Sequence, residues 1–180
     1  MHSRSGLETT YMGSEWMDCV RAAVKAAEEQ GLKAWLYDED RWPSGAAGGL
    51  VVAQGGDEFR AKALTIETGS GCYTPEDSVL ALYRAITNGS ELMNCRRLDE
   101  REGHSTDSGE VFLVIRREIS GPSTIFHDEA PPDLLNPECV AAFIKLTHEA
   151  YKRVIGPEFS KTVPGIFTDE PTFCKQAIPW

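Results

Sequence analysis

Nowhere in the chain do about 20 apolar residues follow one another, so the sequence offers no membrane-spanning helix. The opening residues Met1-His2-Ser3-Arg4-Ser5-Gly6 also lack the apolar centre of a signal peptide. Positive charge is scarce: 18 Lys and Arg face 28 Asp and Glu, a formal charge of −10. Such a field repels a phosphate backbone and an anionic lipid surface alike, so neither nucleic acid nor membrane is expected as a partner. The five cysteines (Cys19, Cys72, Cys95, Cys139, Cys174) are odd in number and scattered, with no C-x-x-C pair. Neither a disulfide framework nor a zinc site is indicated, and buried free thiols in a reducing, cytoplasmic setting are the expectation. The glycines at Ser44-Gly45 and Gly48-Gly49 match neither a P-loop nor a dinucleotide fingerprint, and no Ser/His/Asp order stands out. No cofactor is therefore expected.

What is present is one concentrated stretch. Ala34-Trp35-Leu36-Tyr37 is apolar and aromatic, Asp38-Glu39-Asp40 is a run of three carboxylates, and Arg41-Trp42-Pro43-Ser44-Gly45 passes into a Gly-rich loop. This reads as a buried strand that ends in an acidic, loop-borne site. The logic repeats near the other end, where Val163-Pro164-Gly165-Ile166-Phe167-Thr168 runs into Asp169-Glu170-Pro171.

Around these two stretches the pattern alternates. Met17, Val20, Val24 and Ala27 recur at helical spacing, which predicts a helix over 14–30 with Ser14 as its N-cap and Gly31 as its stop. A strand over 33–38 follows. From Asp57 the character changes to β-rich runs at 59–67, 79–87, 91–98 and 111–119, with a hairpin signal at Asn88-Gly89 and a flexible loop expected over 101–109. Asn136-Pro137 then opens a second helix, 136–155, with the stripe Val140, Phe143, Ile144, Thr147, Tyr151, Val154 and Ile155, before a strand over 163–168. The reading is an α/β chain: residues 1–56 and 127–180 belong to one α/β unit, and 57–126 form an inserted antiparallel β subdomain. Strands that alternate with helices are parallel, so the acids at 38–40 and 169–170 share one end of the sheet.

The run from Gly31-Leu32-Lys33 through Asp38-Glu39-Asp40-Arg41-Trp42-Pro43-Ser44-Gly45 to Gly48-Gly49, with Pro164-Gly165-Ile166-Phe167-Thr168-Asp169-Glu170-Pro171, resembles the catalytic barrel of large microbial glycoside hydrolases. These are the α-L-rhamnosidase type and their uncharacterised relatives. The resemblance implies a partial (β/α)₈ barrel with its site at the strand ends, a carbohydrate substrate, and a longer parent chain. A whole barrel takes about 250 residues, and roughly 110 remain here without the insertion. It also implies that His2 and Arg4 follow an earlier barrel strand and reach the same face.

Glycoside hydrolysis needs a carboxylic acid to protonate the leaving oxygen and a second carboxylate as nucleophile or base. Glu170 is the expected acid, against the plainer reading that Asp169-Glu170 caps a following helix. Strand alternation lets at most two of Asp38, Glu39 and Asp40 enter a site, leaving one solvated or paired with Arg41. Asp38, Glu39 and Asp169 are expected to contact sugar hydroxyls, with the second catalytic carboxylate or a hard cation such as calcium as the alternatives for the acid run. Trp42 is a candidate stacking platform or a loop anchor. His127 reads as a surface-loop residue near Asp128-Glu129, and His148 as structural within its helix. The competing function is a non-catalytic carbohydrate-binding or decayed fragment, and an isolated open parallel sheet is expected to be marginally stable.

Overall fold

The computed structural model describes residues 1–3, 6–172 and the backbone of 178–179. Its elements are, in order, α1 (Ser14–Glu29), β1 (Leu36–Tyr37), α2 (Leu50–Gly55), β2 (Lys62–Gly69), β3 (Cys72–Tyr73), β4 (Val79–Asn88), β5 (Glu91–Leu98), β6 (His104–Ser105), β7 (Val111–Ile119), α3 (Pro137–Leu146), α4 (His148–Ile155), β8 (Ile166–Phe167) and β9 (Ile178–Pro179). They divide into two compact units: Met1–Ala61 with Ser120–Phe173, and Lys62–Ile119 with Cys174–Trp180.

The first unit is α/β. Helix α1 buries Trp16, Met17, Val20 and Val24 along one face. Its N-cap is Gly13 rather than Ser14, which already lies inside the helix. At the other end Gly31, at φ +67°, turns the chain so that its amide bonds the Glu28 carbonyl and the Leu32 amide bonds that of Ala27. This pair of bonds closes the last turn, and the left-handed backbone they need is one that glycine adopts without strain. Strand β1 begins four residues after Leu32.

Strands β1 and β8 are parallel, with Leu36 opposite Ile166 and Tyr37 opposite Phe167. Both are shorter than the predicted 33–38 and 163–168. The ladder nonetheless extends beyond them, since the amides of Ala34, Leu36 and Asp38 bond the carbonyls of Thr162, Gly165 and Phe167. The intervening Trp35 carbonyl points the other way and accepts from the Met1 amine at 2.6 Å. Residues 1–3 thus run along the edge of β1 opposite β8, and Ser3 makes a parallel bridge with Asp40. Leu36, with no exposed surface, meets Val20, Val24, Val51, Cys139, Tyr151, Ile155 and Val163 in one apolar cluster.

The single helix expected over 136–155 is two. Asn136 caps α3 as foreseen, its Oδ1 accepting from the Glu138 amide at 2.9 Å. The break falls at Thr147, whose hydroxyl donates to the Phe143 carbonyl one turn back, at 2.7 Å, and whose φ/ψ of −108°/−73° departs from the regular helical values. A buried threonine bonding its own helix backbone in this way bends the chain. The bend leaves Ile144 43% exposed, against its place in the predicted stripe, and brings Tyr151 and Ile155 into the core.

The second unit is an antiparallel sheet of order β5-β4-β7-β2-β9. Tyr73, Val79, Leu82, Phe112 and Val114 form its apolar cluster, with Leu98 packed against it. The β4–β5 connection is Gly89-Ser90, with Asn88 the last residue of β4 and φ +62° at Gly89. The run at 101–109 is no free loop: β6 pairs with β3, and Gly71 and Thr106 exchange two hydrogen bonds. The predicted strand start at Phe59 is instead a short 3₁₀ turn, Gly56–Phe59.

Leu36→Ala is expected to lower the unfolding free energy by about 2–5 kcal/mol, the range for cavities opened in a packed core. Ile66→Ala, at a side chain 60% exposed, should shift it by less than about 1 kcal/mol. Urea unfolding of the two variants checks the contrast.

Candidate functional site

Beyond Tyr37 the chain leaves the sheet, and strand alternation no longer governs where side chains go. Asp38, Glu39 and Asp40 are all buried, at 0, 1 and 7% exposure. None is solvated as expected for one of the three, and Arg41 instead donates to the Thr124 carbonyl at 3.2 Å. Three neighbouring carboxylates removed from water require donors for each, because an unpaired buried charge costs several kcal/mol.

Those donors come from every side of the unit. Asp38 accepts from the Ser44 hydroxyl at 2.6 Å and the Thr168 hydroxyl at 2.6 Å, with His148 Nε2 at 3.5 Å from Oδ2. Glu39 Oε1 meets His2 Nε2 at 2.8 Å, and its Oε2 lies 3.3 Å from Ser44 Oγ. Asp40 accepts from the Ser3 hydroxyl and pairs with His127 Nε2 at 2.7 Å. Three of the chain's four histidines thus lie on three consecutive acids. The tight packing reaches the backbone: a Cβ on Gly48 would stand 3.1 Å from Asp40 Oδ2, and one on Gly49 would stand 2.7 Å from the Phe126 carbonyl. That second approach lets the loop carrying His127 close over the 40–49 segment.

Ser44 is the common element. A hydroxyl has one proton to donate, and the shorter contact gives it to Asp38, leaving Glu39 the weaker branch. The same oxygen accepts from the Asp169 amide at 2.8 Å, and the Ser44 amide returns a bond to the Asp169 carbonyl at 3.0 Å. The ends of β1 and β8 are tied together there. Asp169 Oδ2 also accepts from the Tyr37 hydroxyl at 2.7 Å, and the Tyr37 ring stacks on His2 (3.8 Å) and Phe167 (5.0 Å). Below it, Tyr151 donates to the Tyr37 carbonyl at 3.0 Å and accepts from Trp16 Nε1 at 3.3 Å.

The predicted site residues therefore separate. Asp38 and Glu39, expected to touch sugar, have no surface from which to do so, and they hold the loop instead. Asp169 is half-buried and serves as a bracket. Glu170 is exposed, and its φ of +41° puts a non-glycine residue in the left-handed region. Trp42 is half-buried and joined to Pro43 by a cis peptide. His2 sits on Glu39, and Arg4 lies outside the described residues. His127 and His148, read as surface and structural, are both site residues, as are Ser3 and Ser44. Among the described residues no group of three or more His, Cys, Asp and Glu is disposed to hold a metal ion.

No family model matches the chain, and no curated protein or solved structure matches it either.

Two outcomes follow. Ser44→Ala removes the proton from Asp38 and the acceptor from Asp169 together, and should destabilise the chain by about 3 kcal/mol or more in urea titration. The second concerns the phenols. Burial pushes Tyr151 up to about 12 and Tyr11 higher still, against an unfolded value near 10. The native state then keeps protons that the unfolded state has lost, so stability is full below about pH 10 and falls between pH 10 and 12, by roughly 2–3 kcal/mol from Tyr151. Phenolate absorbance at pH 11 should show at least two of the five tyrosines un-ionised until the chain unfolds.

Proposed function

We propose that this chain carries part of the catalytic face of a (β/α)₈-type glycoside hydrolase, with Glu170 as the proton donor. One observation carries the reading. Two adjacent parallel strands end in carboxylates tied together through Ser44, and of those acids Glu170 is the exposed one, next to the bracketed Asp169. That is the disposition expected of a strand-end acid.

In the proposed reaction Glu170 protonates the glycosidic oxygen as the C–O bond breaks through an oxocarbenium-like transition state. Asp169 and Tyr37 position the backbone that presents it. Asp38, Glu39 and Asp40 are occupied with Ser44, Thr168, Ser3 and three histidines, so the second carboxylate of the mechanism comes from outside this run.

The test is a panel of aryl glycosides, including α-L-rhamnoside, given to the 180-residue chain and to the longest reading frame that contains it. Glu170→Gln is expected to slow turnover of substrates with poor leaving groups by about 10²–10⁴-fold and to affect activated ones far less. Equal turnover by wild type and variant would sink the assignment. Sugar binding with no turnover in any form would transfer the reading to a carbohydrate-binding module.

A further inference from the structure

In the antiparallel sheet of the second unit, residues paired directly across neighbouring strands share a face, and alternate residues of one strand do the same. The register therefore sorts the side chains of β5, β4, β7 and β2. One face carries Leu82, Phe112 and Val114, joined by Tyr73 and Val79 in the apolar cluster of that unit. The other face is apolar as well. There Leu64 stands opposite Arg117, Ile66 opposite Ile115, and Tyr83 opposite both Leu113 and Arg97. None of Leu64, Ile66, Tyr83, Leu113 and Ile115 belongs to an apolar cluster, and Ile66 is 60% exposed. An antiparallel sheet that buries one face ordinarily shows water a polar one. A contiguous apolar patch in that place marks an interaction surface.

The charges are sorted too. The acids of these strands, Glu67, Glu91 and Glu118, register with Val114, Asn88 and Ala63, all on the clustered face. The second face holds Lys62, Arg97 and Arg117, and no acid from its own strands. Lys62 and Arg117 border the apolar centre at one end of β2 and β7, and Arg97 borders it on the edge strand β5. Arg97 lies 3.8 Å from Glu100 just beyond its strand, whereas Arg117 is exposed and has no ion-pair partner among the described residues. In a chain of formal charge −10, this one face is locally basic.

That sign selects the occupant. A second copy laid face to face would bring further cations and no carboxylate to meet them, so charge opposes self-pairing. An anionic lipid surface meets the field of the whole chain, which repels it. The surface of another protein meets the patch alone, because charges more than about 8 Å away are screened at physiological salt. The strands run for eight to ten residues. At about 4.8 Å between strands and about 3.3 Å per residue, the face projects roughly 500 Å². Contact of that size suits a transient complex rather than an obligate one. We propose that this face docks a separate protein through an apolar strip bordered by Asp or Glu, its carboxylates set against Arg117, Lys62 and Arg97. The proposal is independent of the glycosidase reading.

The probes are two amphipathic helical peptides that share one leucine face and differ only in the residues flanking it, Glu in one and Lys in the other. Each is titrated by NMR into the 180-residue chain. The Glu peptide should bind with a Kd of roughly 0.1 mM, shifting the amides of Ile66, Tyr83, Leu113 and Ile115, and the Lys peptide about tenfold more weakly. Arg117→Glu should erase or reverse that preference. Ile66→Ala, at a side chain too exposed to matter much for stability, should weaken the Glu peptide about fivefold. The chain alone should sediment as a monomer, and vesicles containing phosphatidylserine should leave these amides unshifted. The idea is overturned if neither peptide binds, if both bind equally, if the shifts map elsewhere, or if either variant behaves as wild type. A dimer that Ile66→Ala dissociates would assign the face to a second copy, and vesicle binding through it would assign it to lipid. Either result removes the proposed partner.

Discussion

Three carboxylates in succession at the end of a buried strand set the terms for the rest of the first unit. Each must find donors in a space from which water is excluded, and the donors come from residues distant in sequence: Ser3 and His2 before α1, Ser44 in the loop, His127 in the segment returning from the antiparallel sheet, His148 at the start of α4, Thr168 after β8. Satisfying the acids therefore assembles the unit. The break at Thr147 adjoins His148, one of those donors. Thr147 marks the join itself, bonding Phe143 on one side and His148 Nδ1 on the other, each within 2.8 Å.

Much of the fold was legible because it rests on local rules. The 3.6-residue spacing of Met17, Val20 and Val24, the glycine stop at Gly31, the Asn136-Pro137 start and the period-two runs after residue 60 each depend on neighbours in the chain. The sequence could not show where α3 gives way to α4. Thr147 sits in the apolar stripe and reads as a tolerated core threonine, and only its back-bond to Phe143 and its contact with His148 make it a break. The 101–109 run misled for a related reason. Its polar, glycine-containing composition describes a surface loop, while its order comes from β3, some thirty residues upstream, a non-local pairing that composition does not encode.

The site was legible in its carboxylates and not in its imidazoles and hydroxyls. An acid run after an aromatic strand is visible at once, and so is the repeat at Asp169-Glu170. The expectation that alternation would split Asp38, Glu39 and Asp40 between site and solvent applied strand geometry past Tyr37, where the strand ends. A stronger use of the same sequence was available. Three acids adjoining an apolar strand imply compensating donors, and a chain with only four histidines has few to offer. Ser44 was hidden for another reason: in a Pro-Ser-Gly run a serine reads as turn chemistry, and nothing local reveals that its oxygen faces Asp38, Glu39 and the Asp169 amide together.

The division among the acids bears on what each is able to do. A carboxylate with its oxygens engaged by fixed donors and no exposed surface cannot take a proton to or from a substrate, and its effect is exerted through the groups it holds. Asp38 and Glu39 are of that kind, and Asp40 nearly so, with a small opening toward a cavity beside segment 6–11. Asp169 is intermediate, since one oxygen is engaged by Tyr37 while its backbone is clamped at both N–H and C=O by Ser44. Clamping that peptide so close to Glu170 restricts where the left-handed φ of +41° can carry the glutamate, so a residue on an exposed turn inherits the precision of the buried network. Proton transfer to a leaving oxygen needs such a pairing of a free carboxyl and a fixed backbone. In the proposed reaction the buried acids would supply the second half of it, through the bonds that fix Ser44 and Asp169.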